Sequence, residues 1–191
     1  MTWAIVALAV VLLLYYRSKR RLTGWHIMYS PGMPDRPTMQ GDGWHFDFPT
    51  DPASHVHYVQ WFKPPSPVGA LTARFTVTGS GFVPQEFPDR AATVSLLLQR
   101  RGDDWTARGA MQSYRWYSSE VVTLAAGEFE LTVPLDVAFW GDVNGFKDPV
   151  AFAATLADLD NIGLVFGSAG GRGHGVYATE PARFAFSSFS S

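Results

Sequence analysis

Apolar and polar side chains begin to alternate with period two at Trp44, and the alternation recurs almost to the carboxyl end. Trp44, Phe46 and Phe48 alternate with His45 and Asp47, and Leu71, Ala73, Phe75 and Val77 with Thr72, Arg74 and Thr76. Val94, Leu96 and Leu98 alternate with Thr93, Ser95 and Gln99; Phe129, Leu131 and Val133 with Glu128, Glu130 and Thr132; Phe184 and Phe186 with Arg183, Ala185 and Ser187. Period two sends successive side chains to opposite faces, so each run predicts a strand that hides one face. The runs are separated by turn signals at Pro64–Pro65, Gly79–Ser80–Gly81, Arg101–Gly102–Asp103 and Ala126–Gly127. Many short strands so punctuated predict an all-β, antiparallel sandwich or barrel.

One helix interrupts this pattern. Asp148 can cap it, Pro149 suits its first position, and Phe152, Leu156 and Leu159 fall on one face, with an expected end near Asn161. Ile162, Leu164 and Phe166 then resume the strand period.

Two segments lie outside the alternation. Thr2 to Tyr16 carries no charge and as a helix spans roughly 23 Å, which a bilayer accommodates when Trp3 and Tyr15–Tyr16 sit at its interfaces. The basic cluster RSKRR follows this run instead of preceding it, the reverse of a cleaved signal peptide. Residues 1–21 are therefore expected to form a single transmembrane helix with a basic flank. Retention of Lys and Arg on the cytoplasmic side places the globular part in the cytoplasm. Residues 22–43, with Pro31, Pro34, Pro37 and four glycines, show neither period and are expected to be a linker or covering segment ahead of a domain at 44–191.

Composition narrows the chemistry. With no Cys, disulfide frameworks, Cys-based zinc sites and thiol nucleophiles are excluded. Four of the 15 basic residues (Arg17, Lys19, Arg20, Arg21) precede residue 22, so the remainder carries 11 basic against 17 acidic groups, a net −6. A domain that acidic repels phosphate, which argues against a nucleic-acid partner.

The carboxyl half reads EFELTVPLDVAFWGDVNG, then the capped helix, then DNIGLVFGSAGGRGHGVYATEPARFAFSSFS. This order of strand, Pro-Leu exit, loop, short helix, buried strand, Gly-rich turn and closing strand resembles the end of jelly-roll β-sandwiches of the galactose-binding and carbohydrate-binding-module type. It also looks like bacterial proteins with an FG…GHGV…ARF ending. At the level of architecture the resemblance covers roughly residues 44–190. It implies a glycan-binding or protein-binding module, in which sugars stack on aromatic rings or sit among polar side chains on a concave sheet face, often beside a structural calcium.

Several constellations are candidates for that role, each with a plainer reading. The loop Gly167–Gly175 lacks the following helix that a phosphate loop needs; it is either a long hairpin turn or a flexible rim carrying Arg172 and His174 to a ligand. In SYRWYSS, Tyr114 and Trp116 share one strand face and Arg115 takes the other, a composition of recognition surfaces or of an inward aromatic pair beside a solvated Arg. His55 and His57 share a face but lack an evident third metal ligand, so no metal is assigned there. Asp142, Asn144 and Asp148 offer oxygens for a calcium ion without the spacing of an EF-hand.

No nucleophile elbow or H-E-x-x-H motif is present, and Asp47, Glu120 and Asp136 are typical of many equivalent carboxylates. The sequence thus leads to a membrane-anchored, single-pass, non-catalytic module without a cofactor. Its ligand contacts would be Tyr114, Arg115, Trp116, Arg172 and His174, and its partner a glycan or glycoconjugate. The alternative is a membrane-tethered scaffold or assembly factor that holds another protein.

Overall fold

A computed structural model describes residues 22–190. The expected transmembrane helix lies outside these residues; among the described residues no helix is long and apolar enough to cross a membrane. The described chain is an all-β sandwich of antiparallel sheets. One sheet has eight strands. Its main path orders β1 (Gly24–Met28), β4 (Tyr58–Phe62), β12 (Leu159–Ser168), β7 (Ala92–Arg100), β8 (Arg115–Ser118) and β11 (Trp140–Asp142). In addition β13 (Gly171–Arg172) pairs with β12, and β9 (Val122–Thr123) with β7.

The facing sheet orders β10 (Gly127–Pro134), β5 (Ala70–Thr78), β15 (Arg183–Ser190), β3 (Gly43–Asp47) and β2 (Thr38–Gln40). A short ribbon pairs β6 (Phe82–Pro84) with β14 (Val176–Ala178).

The five-stranded sheet follows the period-two pattern closely, because one of its faces is in water. Leu71, Ala73, Phe75 and Val77 of β5 are buried, as are Trp44 and Phe46 of β3 and Phe184 and Phe186 of β15. The outward face carries Arg74 paired to Glu130 at 2.8 Å and Arg183 paired to Asp47 at 2.7 Å. A bulge in β15 between Phe186 and Ser188 shifts the phase by one residue, which returns Phe189 to the core side. Between the sheets the aromatic rings interlock, with Phe184 stacked on Phe75 at 4.8 Å and Phe166 edge-on to Phe184 at 5.3 Å.

Residues 22–43 differ from the linker or cover expected of them, since they supply β1 to one sheet and β2 to the other. In β1 the period is masked because both faces are covered: Ile27 and His26 are both buried. The helix α1 (Pro149–Ala157) is capped by the Asp148 carboxylate, which accepts from the Val150 and Ala151 amides, and it plugs one end of the core with Phe152 against Trp116 at 5.0 Å. It stops short of Asn161. The Arg101 amide bonds to the Asp158 carbonyl and the Lys63 amide to the Asp160 carbonyl, which draw the chain into the sheet.

Candidate functional site

The eight-stranded sheet is covered on both faces, and its second face is unusually polar. In β7, Thr93, Ser95, Leu97 and Gln99 point away from the sandwich core yet are all buried. Gln99 lies opposite Arg115 of β8 and Asn161 of β12, and Gln60 of β4 pairs with Gly163 of β12. The four polar side chains therefore form a seam across adjacent strands. Gln60 Nε2 donates to Gln99 Oε1 and Asn161 Oδ1 at 2.9 Å each, and Asn161 Nδ2 donates to Gln99 Oε1 at 2.6 Å. Gln99 Nε2 in turn donates to Asp103 Oδ2 at 2.6 Å.

The same Asp103 oxygen lies 2.7 Å from Arg115 Nε, with side chains only 1% and 6% exposed. This is a close ionic contact in which the Nε–H points off the line to the oxygen, so charge and not hydrogen-bond geometry holds the pair. Arg115 also lies under the Trp105 ring, 4.5 Å from its centre. Trp105 meets Tyr58 and Tyr29, and it, Tyr29 and Ala107 all adopt left-handed backbone conformations (φ 66°, 52° and 53°). Such strain persists only where neighbours hold it, and here the ion pair and the ring stack do so. Burial pushes the Tyr58 and Tyr117 hydroxyls up from their ordinary pKa, so each keeps its own proton and one donates to the other at 3.3 Å.

At one end of this face the Gly-rich segment turns back on β12. Gly167 pairs with Arg172 and Ser168 with Gly171, which makes a tight hairpin. Two glycines beyond it are obligatory. A Cβ at Gly173 would lie 2.0 Å from Tyr58 Oη, and one at Gly175 would lie 2.7 Å from His57 Nε2, both at positive φ.

His57 locks the segment down, since its Nδ1 lies 2.7 Å from the Gly173 carbonyl, which can only accept; the neutral ring therefore carries its proton on Nδ1. Burial, with smaller contributions from His55 and His174, lowers the His57 pKa to about 4. The unfolded ring takes up a proton near pH 6.5, so its contribution to stability is complete above that pH and is lost as pH falls from 6.5 toward 4. Discounted for the part of the ring near solvent, the loss is about 1–2 kcal/mol. Urea unfolding at pH 7.5 and 4.5 should show it, and His57→Gln should flatten the difference; an equal pH dependence in both proteins would refute the assignment.

Beside the hairpin an open cleft of about 240 Å³ is lined by Tyr117, Asp142, Asn144, Gly145, Gly171, Arg172 and His174. It is smaller than the roughly 300–1,000 Å³ of pockets for drug-sized ligands, so a single ring or headgroup is the matching size. The hairpin thus brings Arg172 and His174 to one cleft, and the strand before it brings Tyr117. Arg172 is half-buried and donates to the Ser119 carbonyl at 3.3 Å, and His174 is exposed and pairs with Glu86 at 2.8 Å.

The other sequence candidates lie elsewhere. Trp116 is fully buried in the core, its Nε1 donating to Thr155 Oγ1 and the Ser113 carbonyl. It presents no ring to solvent. Tyr114 is half-buried with the Arg100 guanidinium over its ring at 4.8 Å, and Arg115 is held by Asp103. Tyr117 is not among the sequence candidates, although the same alternation that buries Trp116 turns residues 115 and 117 to the second face.

The carboxylates considered for calcium make local turns and caps. Asp142 Oδ1 accepts from the Asn144 and Phe146 amides, and Asp148 caps α1; among the described residues no group of three His, Asp or Glu is placed to hold a metal. No protein-family model matches this chain, no curated protein matches it, and no solved structure matches its fold.

Proposed function

We propose that this chain is a non-catalytic binding module of jelly-roll type, held to a membrane by residues 1–21 with its domain on the cytoplasmic side, and that it recognises a glycan or glycoconjugate. The observation that carries the reading is the cleft beside the Gly-rich hairpin, where a guanidinium, an imidazole, an amide and a tyrosine converge on a space of one sugar ring. Recognition there runs through hydrogen bonds from Arg172 and His174, with Tyr117 at the wall. Stacking on Tyr114 and Trp116 has no place in it, because the rings are engaged elsewhere.

Isothermal titration of the detergent-solubilised full chain with a panel of mono- and disaccharides tests the reading. Saturable binding that a bulky Asn144→Trp substitution, at an exposed position of the cleft lining, abolishes is expected. Absence of binding across the panel removes the proposal.

The second reading, a scaffold for another protein, is favoured by Phe146 and Val150, which are 67% and 78% exposed on the loop after β11 and the first turn of α1. Photo-crosslinking from position 146 in intact membranes should give a discrete protein adduct if that reading holds.

A further inference from the structure

Arg172 is the unusual member of the cleft. Its guanidinium is half-buried, its Nε has no hydrogen-bond partner, and it forms no ion pair with any described carboxylate. Partial loss of water lowers its pKa, a sign that the cation is poorly solvated where it stands. A cation removed from water without a counter-charge is costly, and a bound anion offsets that cost.

A second guanidinium lies next to the turn. A Cβ at Gly170 would lie 2.7 Å from Arg90 Nη1, and Arg90, held over the Phe87 ring at 4.2 Å, is likewise without an ion-pair partner among the described residues. Arg90 is exposed and lies outside the cleft lining, so it adds positive charge next to the side-chain-free turn Gly170–Gly171, while Arg172 lines the cleft itself. This concentrates positive charge at one spot of a domain whose net charge is −6.

The opposite wall has a different character. Asp142 and Asn144 line it, and one Asp142 oxygen is engaged by two backbone amides. Glu86 is engaged by His174. A free inorganic anion would meet Asp142 as a like charge, whereas a ring with an anion at one end and hydroxyls at the other would suit both walls. Guanidinium binds planar carboxylates through two parallel N–H bonds, a geometry Lys does not reproduce.

We infer that the cleft selects an acidic saccharide, whose carboxylate lies against Arg172 beside the Gly170–Gly171 turn while its hydroxyls face Asp142 and Asn144. This inference rests on the binding-module reading and specifies its ligand class.

Calorimetric titration of the full chain with glucuronate, glucose and inorganic phosphate separates the possibilities. Glucuronate is expected to bind at least 10-fold more tightly than glucose and than phosphate, with affinity falling as salt rises. Arg172→Gln is expected to erase the preference, Arg172→Lys to restore only part of it, and Arg90→Gln, outside the cleft lining, to weaken glucuronate less than Arg172→Gln does, none with a lowered melting temperature. Equal binding of glucose and glucuronate overturns the inference and leaves the binding module standing. Phosphate binding as tightly as glucuronate overturns the saccharide part, and no binding of either sugar removes the binding-module reading itself. The wild-type comparison decides the matter even where a variant fails to fold.

Discussion

Asp103→Ala is expected to lower the unfolding free energy by about 3–5 kcal/mol, because it strands the Arg115 guanidinium in a site from which water is excluded. Two further groups lose their partner in the same change: Gln99 Nε2 loses its acceptor, and the Trp105 amide, which donates to Asp103 Oδ1 at 3.0 Å, loses the bond that tethers the strained turn through Trp105 and Ala107. Arg115→Ala should cost a similar amount, since the unpaired charge is then the carboxylate.

The double replacement Asp103→Leu with Arg115→Met removes both charges at similar volume and should recover the part of the loss due to the stranded charge, while Gln99 Nε2 and the Trp105 amide still lack their acceptor. Urea denaturation of the three proteins measures this. Losses under about 1 kcal/mol in the single variants would mean that the pair is solvated.

The other large effect belongs to the sandwich core. Phe184 is fully buried and touches rings from both sheets: Phe75 at 4.8 Å, Phe46 at 5.6 Å and Trp44 at 5.8 Å within its own sheet, and Phe166 at 5.3 Å across the interface. Phe184→Ala should cost about 3–5 kcal/mol, the transfer of the ring plus the cavity it leaves among side chains that cannot close in. Phe184→Leu should cost clearly less. Substitution of Ala185, whose neighbours Thr76 and His45 share its outward-facing register, by Thr should be near neutral. If the 184 and 185 variants were equally destabilised, the two-face reading of β15 would fail.

What the sequence disclosed follows from which faces meet water. β5, β10, β3 and β15 alternate visibly because their outward residues, such as Arg74, Glu130 and Asp47, are solvated. β1 stayed hidden because Trp25 and Ile27 face the core while His26 and Met28 are covered from the other side. In β7 the polar residues Thr93, Ser95 and Gln99 alternate as a wet face would and are buried, and at Gln99 the cover is Asp103 of the following loop, which the alternation does not show. The cap at Asp148 was legible since its partners are two and three residues away.

The site was legible in part for the same reason. Glycines around Arg172 and His174 mark an unusual loop in any setting, whereas Asp103 sat inside an Arg-Gly-Asp turn signal with nothing to show that its carboxylate turns inward to Arg115. Trp116 and Tyr117 carry opposite roles through the phase of one short strand, and phase alone does not say which face is the core.

The claim on which the rest depends is that the hairpin at Gly170–His174 and the wall formed by Tyr117 and Asn144 make the ligand cleft. Backbone amide resonances of the full chain, followed during titration with glucuronate, test it most directly. Shifts confined to residues 170–174, Tyr117, Asp142 and Asn144 are predicted, whereas shifts clustered around Arg74 and Glu130 on the five-stranded sheet, or none anywhere, would contradict it.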